Sequence, residues 1–149
     1  FILSNGDLLM ARTGATFGKV LLFLSAEKSV FASYLIRITF RIPIINKVYW
    51  YFSKSHLYWN QAISLSSGSA QPHFNGAALK QILFSFPRSR EDQESLLDTL
   101  DKHYAESEKL QSIYQQKIAA LEELKKSILE KAFKGELTEK TKDLHLADL

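Results

Sequence analysis

The sequence predicts an α+β fold, in which a small, twisted and mostly antiparallel sheet with a short helix is followed by one long coiled-coil-type helix. Two observations support this class. Short apolar runs separated by loops that contain glycine or proline fill residues 1–87, and residues 91–134 contain nothing that breaks a helix. With 149 residues and 46% hydrophobic composition, the chain is long enough for one packed domain and an extension.

Four short apolar segments are predicted to be strands, because each is bounded by glycine, proline or polar residues. They cover residues 8–12, 19–23, 33–40 and 82–86. In the third segment, Arg37 and Thr39 alternate with Ile36 and Ile38. This is the period of a strand with one buried face.

The other segments of the first 87 residues are predicted to be helices and loops. Residues 46–64 place apolar side chains three or four positions apart, which predicts one helix. Residues 14–18 and 65–73 are predicted to be loops, and residues 77–81 a helical turn. The aromatic residues between Tyr49 and Trp59 have two interpretations, a packed core or a surface on which bases stack. Their helical spacing favours the core.

The long helix carries an apolar stripe with a repeat of about seven residues, which predicts pairing with another helix. The stripe consists of Leu100, Leu110, Tyr114, Ile118, Leu121, Leu124, Ile128 and Ala132. About 43 helical residues would extend about 65 Å, more than a compact domain of this size needs, so we expect a spacer or a connector. Gly135 is predicted to end the helix at its C′ position, and residues 136–149 to form a weakly structured tail.

Positive charge is concentrated in the first part of the chain. Residues 1–87 hold eight Lys and Arg against two acidic residues, a net charge of +6, whereas residues 88–149 hold eleven against fourteen, a net charge of −3. A basic globular part suits a polyanion, and a helix of mixed charge suits protein helices.

Six side chains in or beside predicted loops are candidates for contact with nucleic acid. They are Arg12, Thr13, Lys19, Lys54, Gln71 and His73. Arginine and lysine neutralise phosphates, and arginine and glutamine also read base edges. Each residue alone is equally compatible with an ordinary solvated surface position. The net charge of residues 1–87 favours nucleic acid for the group.

Sequence motifs for catalysis and metal binding are missing. The segment GATFGK at residues 14–19 has three residues between its glycines where a phosphate-binding loop has four, and Val20 stands where that loop has Ser or Thr. The four histidines lack metal-ligand spacing, and no nucleophile elbow occurs. We therefore predict a protein that is not an enzyme and binds no metal or cofactor itself.

Composition also bears on location. The chain has no cysteine, which excludes disulfide bonds and the usual cysteine-based zinc sites. Neither a run of about 18 apolar residues nor a signal segment is found, so we expect a cytoplasmic protein with no membrane contact. The chain starts at Phe1 in what resembles the middle of a domain, and a fragment is expected.

Three segments share motifs, in the same order, with one known family. They are GDLLMARTGATFGKV at residues 6–20, SSGSAQPHFNGAALKQILFSFP at residues 66–87 with Glu91-Asp92-Gln93 after it, and ELKKSILEKAFKGELT at residues 123–138. The first is similar to a segment inside a target recognition domain, the second to a junction that leads into a helix, and the third to the end of a conserved helical region. Together they resemble the specificity subunits of type I restriction–modification systems.

The resemblance implies a partial DNA target recognition domain over residues 1–87, a spacer and assembly helix over residues 88–135, and a tail. In that family, two recognition domains separated by long antiparallel helices read the halves of a bipartite site in double-stranded DNA. The helices also dock the methylation subunit and, through it, the restriction subunit. S-adenosylmethionine, ATP and magnesium are then expected on those partners only.

Two alternatives remain open at this point. In the first, the chain would pair with a second copy through its long helix and so imitate the two-fold arrangement of the whole subunit. Alternatively, it is a truncated module for helix-mediated assembly that lacks effective DNA binding.

Overall fold

The protein has an α+β fold built on a three-stranded antiparallel sheet, which confirms the predicted class. The computed structural model describes residues 2–66 and 73–137. The strands are β1 (Leu8–Ala11), β2 (Val20–Leu22) and β3 (Leu35–Ile38), in the order β2-β1-β3. Each is shorter than its predicted segment, because the ladder on either side of β1 pairs only these central residues.

One face of the sheet forms the base of the hydrophobic core. Leu8 and Met10 of β1 and Ile38 of β3 belong to this core. The register places Leu8 opposite Ile38 and Met10 opposite Ile36. Arg37 lies between the two isoleucines and points to the other face, so the predicted alternation along β3 is confirmed.

The prediction of one helix over residues 46–64 is wrong, because two helices occur there. They are α1 (Asn46–Phe52) and α2 (His56–Leu65). The Ser55 hydroxyl accepts a hydrogen bond from the Tyr58 backbone N–H at 3.3 Å and is the N-cap of α2. Apolar spacing continues across this break, so periodicity alone does not detect it.

The prediction of a strand over residues 82–86 is also wrong, because no described strand pairs with this segment. Its side chains do alternate: Phe84 and Phe86 are half-buried and Leu83 is exposed. However, the Leu83 N–H donates to Gln61 Oε1 at 2.8 Å, and the Leu83 carbonyl accepts from Gln61 Nε2 at 3.0 Å. A side chain therefore takes the place of a partner strand for this backbone.

The predicted helical turn near residue 77 is present as α3 (Gly76–Leu79). Asn75 is its N-cap, because Oδ1 accepts hydrogen bonds from the Ala77 and Ala78 N–H groups, both at 2.9 Å. The polar loop predicted over residues 65–73 lies mostly outside the described residues.

Aromatic side chains cover the buried face of the sheet, which confirms the core interpretation of this cluster. Tyr49 of α1 and Tyr58 of α2 are both buried, with ring centroids 6.3 Å apart. Phe52 and Phe84 pack beside them at a centroid distance of 4.6 Å. Burial raises the pKa of Tyr49 to about 12, and burial together with the neighbouring Tyr49 raises the pKa of Tyr58. Both hydroxyls therefore stay protonated at neutral pH.

The long helix is a single element, α4 (Arg90–Phe133), as predicted. Gly135 follows it in the left-handed region, with φ of 75°. The Glu136 N–H donates to the Lys131 carbonyl at 2.8 Å, which is the bond of a Schellman motif. The prediction that Gly135 ends the helix is confirmed.

The chain divides into two compact units, and the boundary falls within α4, between Asp101 and Lys102. In the first unit, the Asp101 carboxylate accepts hydrogen bonds from Lys47 Nζ at 2.6 Å and from the Tyr51 hydroxyl at 2.5 Å. Both bonds lower the pKa of Asp101, and the bond from Lys47 has the larger effect. In the second unit, every residue from 102 to 134 is exposed. The predicted division by role at residues 87 and 135 stays a prediction.

Gln93 joins the start of α4 to two loops of the first unit. Its side chain is 1% exposed, and Oε1 accepts a hydrogen bond from the Ile45 N–H at 2.8 Å. Nε2 donates to the carbonyls of Pro43 at 3.3 Å and Pro87 at 2.9 Å. The amide thus uses its acceptor and both donor hydrogens, which is what burial of a polar side chain requires.

We expect Gln93→Leu to lower the free energy of unfolding by about 2–4 kcal/mol, because the Ile45 N–H and two carbonyls lose their buried partner. Urea unfolding followed by circular dichroism measures the loss. Gln116→Leu makes the same replacement at an exposed position of α4 and is expected to change stability by less than about 0.5 kcal/mol. Equal losses in the two variants would contradict the role given to Gln93.

Candidate nucleic-acid interface

The loop between β1 and β2, residues 12–19, carries three of the six candidates for DNA contact. The Ala11 N–H donates to the Lys19 carbonyl at 3.0 Å, and the Gly18 N–H donates to the Ala11 carbonyl at 2.9 Å, so the ends of the loop are joined. Between them, Gly14–Thr16 form one turn of 3-10 helix. A strand follows this loop, whereas a nucleotide-binding P-loop leads into a helix.

A second segment, which begins at His73, pairs with the β1–β2 loop. His73 and Thr13 form an isolated antiparallel bridge, and the Phe74 N–H donates to the Arg12 carbonyl at 2.9 Å. Lys19 and His73 are exposed, and Arg12 and Thr13 are half-buried. The structure therefore brings four of the six candidates to the same end of β1.

Arg12 is held through both its backbone and its side chain. Its N–H donates to the Tyr34 carbonyl at 3.0 Å, and Nη1 donates to the Ser33 carbonyl at 3.4 Å. Its Nε is buried without a hydrogen-bond partner in residues 2–66 and 73–137. Because the Nε–H is buried, a phosphate oxygen or a base edge would be bound through the Nη1 and Nη2 hydrogens of this guanidinium.

The two segments that meet at this end of β1 contain no acidic side chain. The acidic residues of the first 87 positions are Asp7 and Glu27. Asp7 lies before the other end of β1, where its Oδ2 is 2.9 Å from Nη2 of Arg37. The charge near the β1–β2 loop therefore comes from Arg12 and Lys19, and it favours a polyanion.

The two remaining candidates are not part of this group. Lys54 is exposed in the turn between α1 and α2, and its Nζ lies 4.2 Å from the centre of the Trp50 ring, a cation–π contact. The Lys54 ammonium group is therefore positioned against a side chain of α1. Gln71 lies outside the described residues. Contact with DNA by any of the six side chains stays a prediction.

The sequence interpretation missed the aromatic residues that hold the β1–β2 loop in place. The Phe17 ring packs edge-on against Trp59 and Phe74, with centroid distances of 6.1 and 6.0 Å. The Tyr58 hydroxyl donates to the Gly18 carbonyl at 2.6 Å. One signal was available in the sequence: a large aromatic residue inside a glycine-bounded loop is typical of a loop that packs inward.

The apolar stripe of α4 is a second candidate surface, suited to protein helices. Leu100 lies in the first unit and is half-buried. The other seven residues of the stripe lie in the second unit and are exposed; Leu121, for example, has 64% exposure. At 100° per residue, the stripe covers about 120° of the helix circumference. Helix pairing itself stays a prediction.

Gly18→Ala is expected to destabilise the protein by about 2–4 kcal/mol, because the residue has φ of +71° and a Cβ would lie 3.2 Å from Trp59 Cζ3. Gly14→Ala is the matched control. Its φ of +78° gives the same backbone strain, but a Cβ there meets nothing within 4 Å, so we expect about 1–2 kcal/mol. Thermal unfolding measures both. The contact with Trp59 would be unimportant if the two variants lost equal stability.

Two searches of the described residues concern other kinds of site. Within residues 2–66 and 73–137, no group of three or more His, Asp or Glu side chains is placed to hold a metal ion. No helix in the same ranges combines the length and the apolar composition needed to cross a membrane.

Comparison with known proteins identifies the family of the chain. A comparison with curated proteins finds no significant match. In contrast, the family model described as type I restriction modification DNA specificity domain matches residues 1–129. This span includes the complete first unit and most of α4. The chain therefore belongs to the family of type I restriction–modification DNA specificity domains.

Proposed function

We propose that this chain reads DNA sequence for a type I restriction–modification system and is not itself an enzyme. One observation carries the proposal. Arg12, Thr13, Lys19 and His73 come from two distant segments, yet they lie together at one end of β1 with no acidic side chain in either segment. Family membership supports a role in a type I restriction–modification system. The cluster of four side chains supports this end of β1 as the surface that contacts DNA.

The four side chains differ in what they offer to double-stranded DNA. Lys19 offers a mobile point charge, which suits a phosphate. Arg12 offers a planar fork, which suits a phosphate or the edge of a guanine. The Thr13 hydroxyl and the His73 imidazole exchange hydrogen bonds with either. Lys54 and Gln71 are proposed to add contacts outside this group.

We further propose that partner subunits supply the chemistry. The methylation subunit would methylate adenine with S-adenosylmethionine, and the restriction subunit, joined through it, would cleave DNA with ATP and magnesium. In this arrangement α4 acts as a spacer, and its exposed stripe docks helices of the assembly. Because such a complex acts on DNA inside the cell, we propose a cytoplasmic location for the chain.

Lys19→Ala and Arg12→Ala are expected to weaken DNA binding in different ways. Loss of a phosphate contact at Lys19 weakens binding to every duplex by a similar factor and lowers the slope of log affinity against log salt by about 0.9. Loss of a base contact at Arg12 costs about 1–3 kcal/mol and relaxes one position of the site. The measurement is fluorescence anisotropy at several salt concentrations, with the full-length protein and a duplex selected from a randomised pool.

Lys28→Ala is the matched control for these variants, because it also removes one exposed positive charge. Lys28 precedes Ser29, whose carbonyl bonds to the Leu3 N–H near the other end of β1. Affinity should therefore stay within about twofold of the parent protein. Binding of the parent that does not depend on salt would contradict the proposal, and so would equal losses in all three variants.

The exposed stripe supports a second function, helix-mediated assembly without effective DNA binding. Its side chains are apolar and uncovered in the second unit, and burial of apolar surface gains about 25 cal/mol per Å². The occupant would be the second helical region of a specificity subunit or a second copy of this chain. A protein with only this function would associate through α4 and would lack the salt dependence of DNA binding.

Leu121→Lys is expected to prevent self-association, because it places a charge at the centre of the stripe that pairing of two helices would bury. Sedimentation velocity at high micromolar concentration should show a dimer for the parent and a monomer for the variant. Ala119→Lys adds the same charge on the opposite side of the helix and should sediment like the parent. A parent that is monomeric at this concentration would rule out the homodimer.

A further inference from the structure

Four aromatic residues form a clamp around the base of the β1–β2 loop; they are Phe17, Tyr58, Trp59 and Phe74. Phe17 is the only member that belongs to the loop. Tyr58 and Trp59 lie in the first turn of α2, and Phe74 lies in the segment that pairs with Thr13. Tyr58 and Phe74 are completely buried, so the clamp is continuous with the core of the first unit.

The Tyr58 hydroxyl is the polar link between this clamp and the loop. It donates to the Gly18 carbonyl at 2.6 Å and lies 3.6 Å from the Met10 sulfur. The side chain is 0% exposed, so the hydroxyl has no solvent to bond in place of Gly18. Burial, together with the neighbouring Tyr49, also raises the pKa of Tyr58.

Two residues of the proposed DNA surface, Lys19 and His73, are each adjacent in sequence to a residue that takes part in a clamp contact. Lys19 follows Gly18, whose carbonyl Tyr58 binds, and His73 precedes Phe74, whose ring packs on Phe17. The Phe74 N–H also donates to the Arg12 carbonyl, so the clamp is linked to the first residue of the loop as well. A shift of α2 would therefore move both segments.

We infer that Tyr58 is a positioning residue for DNA recognition, which fixes the Gly18 carbonyl so that the side chains beside the clamp meet DNA as one rigid surface. The inference rests on the proposed function. Sequence discrimination requires base contacts to be held in register with phosphate contacts, because misplaced donors lose hydrogen bonds to the correct base without losing the attraction of charge. Tyr58 therefore governs specificity more than total affinity.

Tyr58→Phe tests this inference, because it removes the hydroxyl and keeps the ring that fills the core. Tyr49→Phe is the matched control: Tyr49 is buried in the same core, but its ring packs on Phe40 and Phe84 rather than on the loop. Both variants are made in the full-length protein. Affinities are measured for the selected duplex and for the same duplex with one base pair changed.

Tyr58→Phe should reduce affinity for the selected duplex about three- to tenfold, with little change for the altered duplex and no change in the salt slope. Tyr49→Phe should leave the ratio of the two affinities at its parent value. Hydrogen exchange provides a readout that is independent of DNA: the amides of Gly18 and Lys19 should exchange faster in Tyr58→Phe alone, since their loop has lost its anchor.

The outcomes separate this inference from the function on which it rests. If the parent protein shows no salt-dependent binding of duplex DNA, the proposed function fails and the inference fails with it. If the parent binds but the two tyrosine variants have equal affinity ratios, only the inference is overturned. Should Tyr58→Phe not fold, Phe17→Leu tests the clamp from the loop side, and an unchanged ratio in that variant overturns the inference.

Discussion

The packing of aromatic rings on one face of a three-stranded sheet is the interaction on which the first unit depends. A sheet of three short strands is only marginally stable in water until a hydrophobic face is covered. Tyr49, Tyr58 and Phe74 provide this cover, and they come from three separate segments of the chain. Because all three pack in one core, the segments that carry them have fixed positions, and so do the loops beside them.

This packing also buries polar groups, and their hydrogen bonds hold irregular segments in place. The Gln93 amide connects α4 to two proline-containing loops, the Gln61 amide replaces a partner strand for Leu83, and the Tyr58 hydroxyl binds the Gly18 carbonyl. The Gln93 amide and the Tyr58 hydroxyl are buried, so loss of the partner at either place would cost about 1–3 kcal/mol. The conformation of the β1–β2 loop is linked to the core in this way, because the Tyr58 hydroxyl bonds to the loop directly.

The second unit follows a different principle. From Lys102 onwards, α4 is exposed along its whole surface, so its helical state depends on local properties of the sequence. It is rich in Leu, Ala, Glu, Lys and Gln, all strong helix formers, and the Schellman motif at Gly135 satisfies its last carbonyls. What it leaves uncovered is the apolar stripe. A unit that is stable by packing is thus joined to a helical unit that exposes an apolar stripe.

Features that depend on local chemistry were predictable from the sequence: the α+β class, the presence of β1 to β3, the extent of α4 and its end at Gly135. Periodicity and capping act over a few residues, so they can be read without a partner. Features that depend on contacts between distant segments were not predictable in this way. Residues 82–86 have the alternation of a strand, but Gln61 occupies the place of its partner. Charge and composition indicated six candidates for DNA contact, whereas the meeting of Thr13 with His73 arises from long-range pairing, which no local pattern contains.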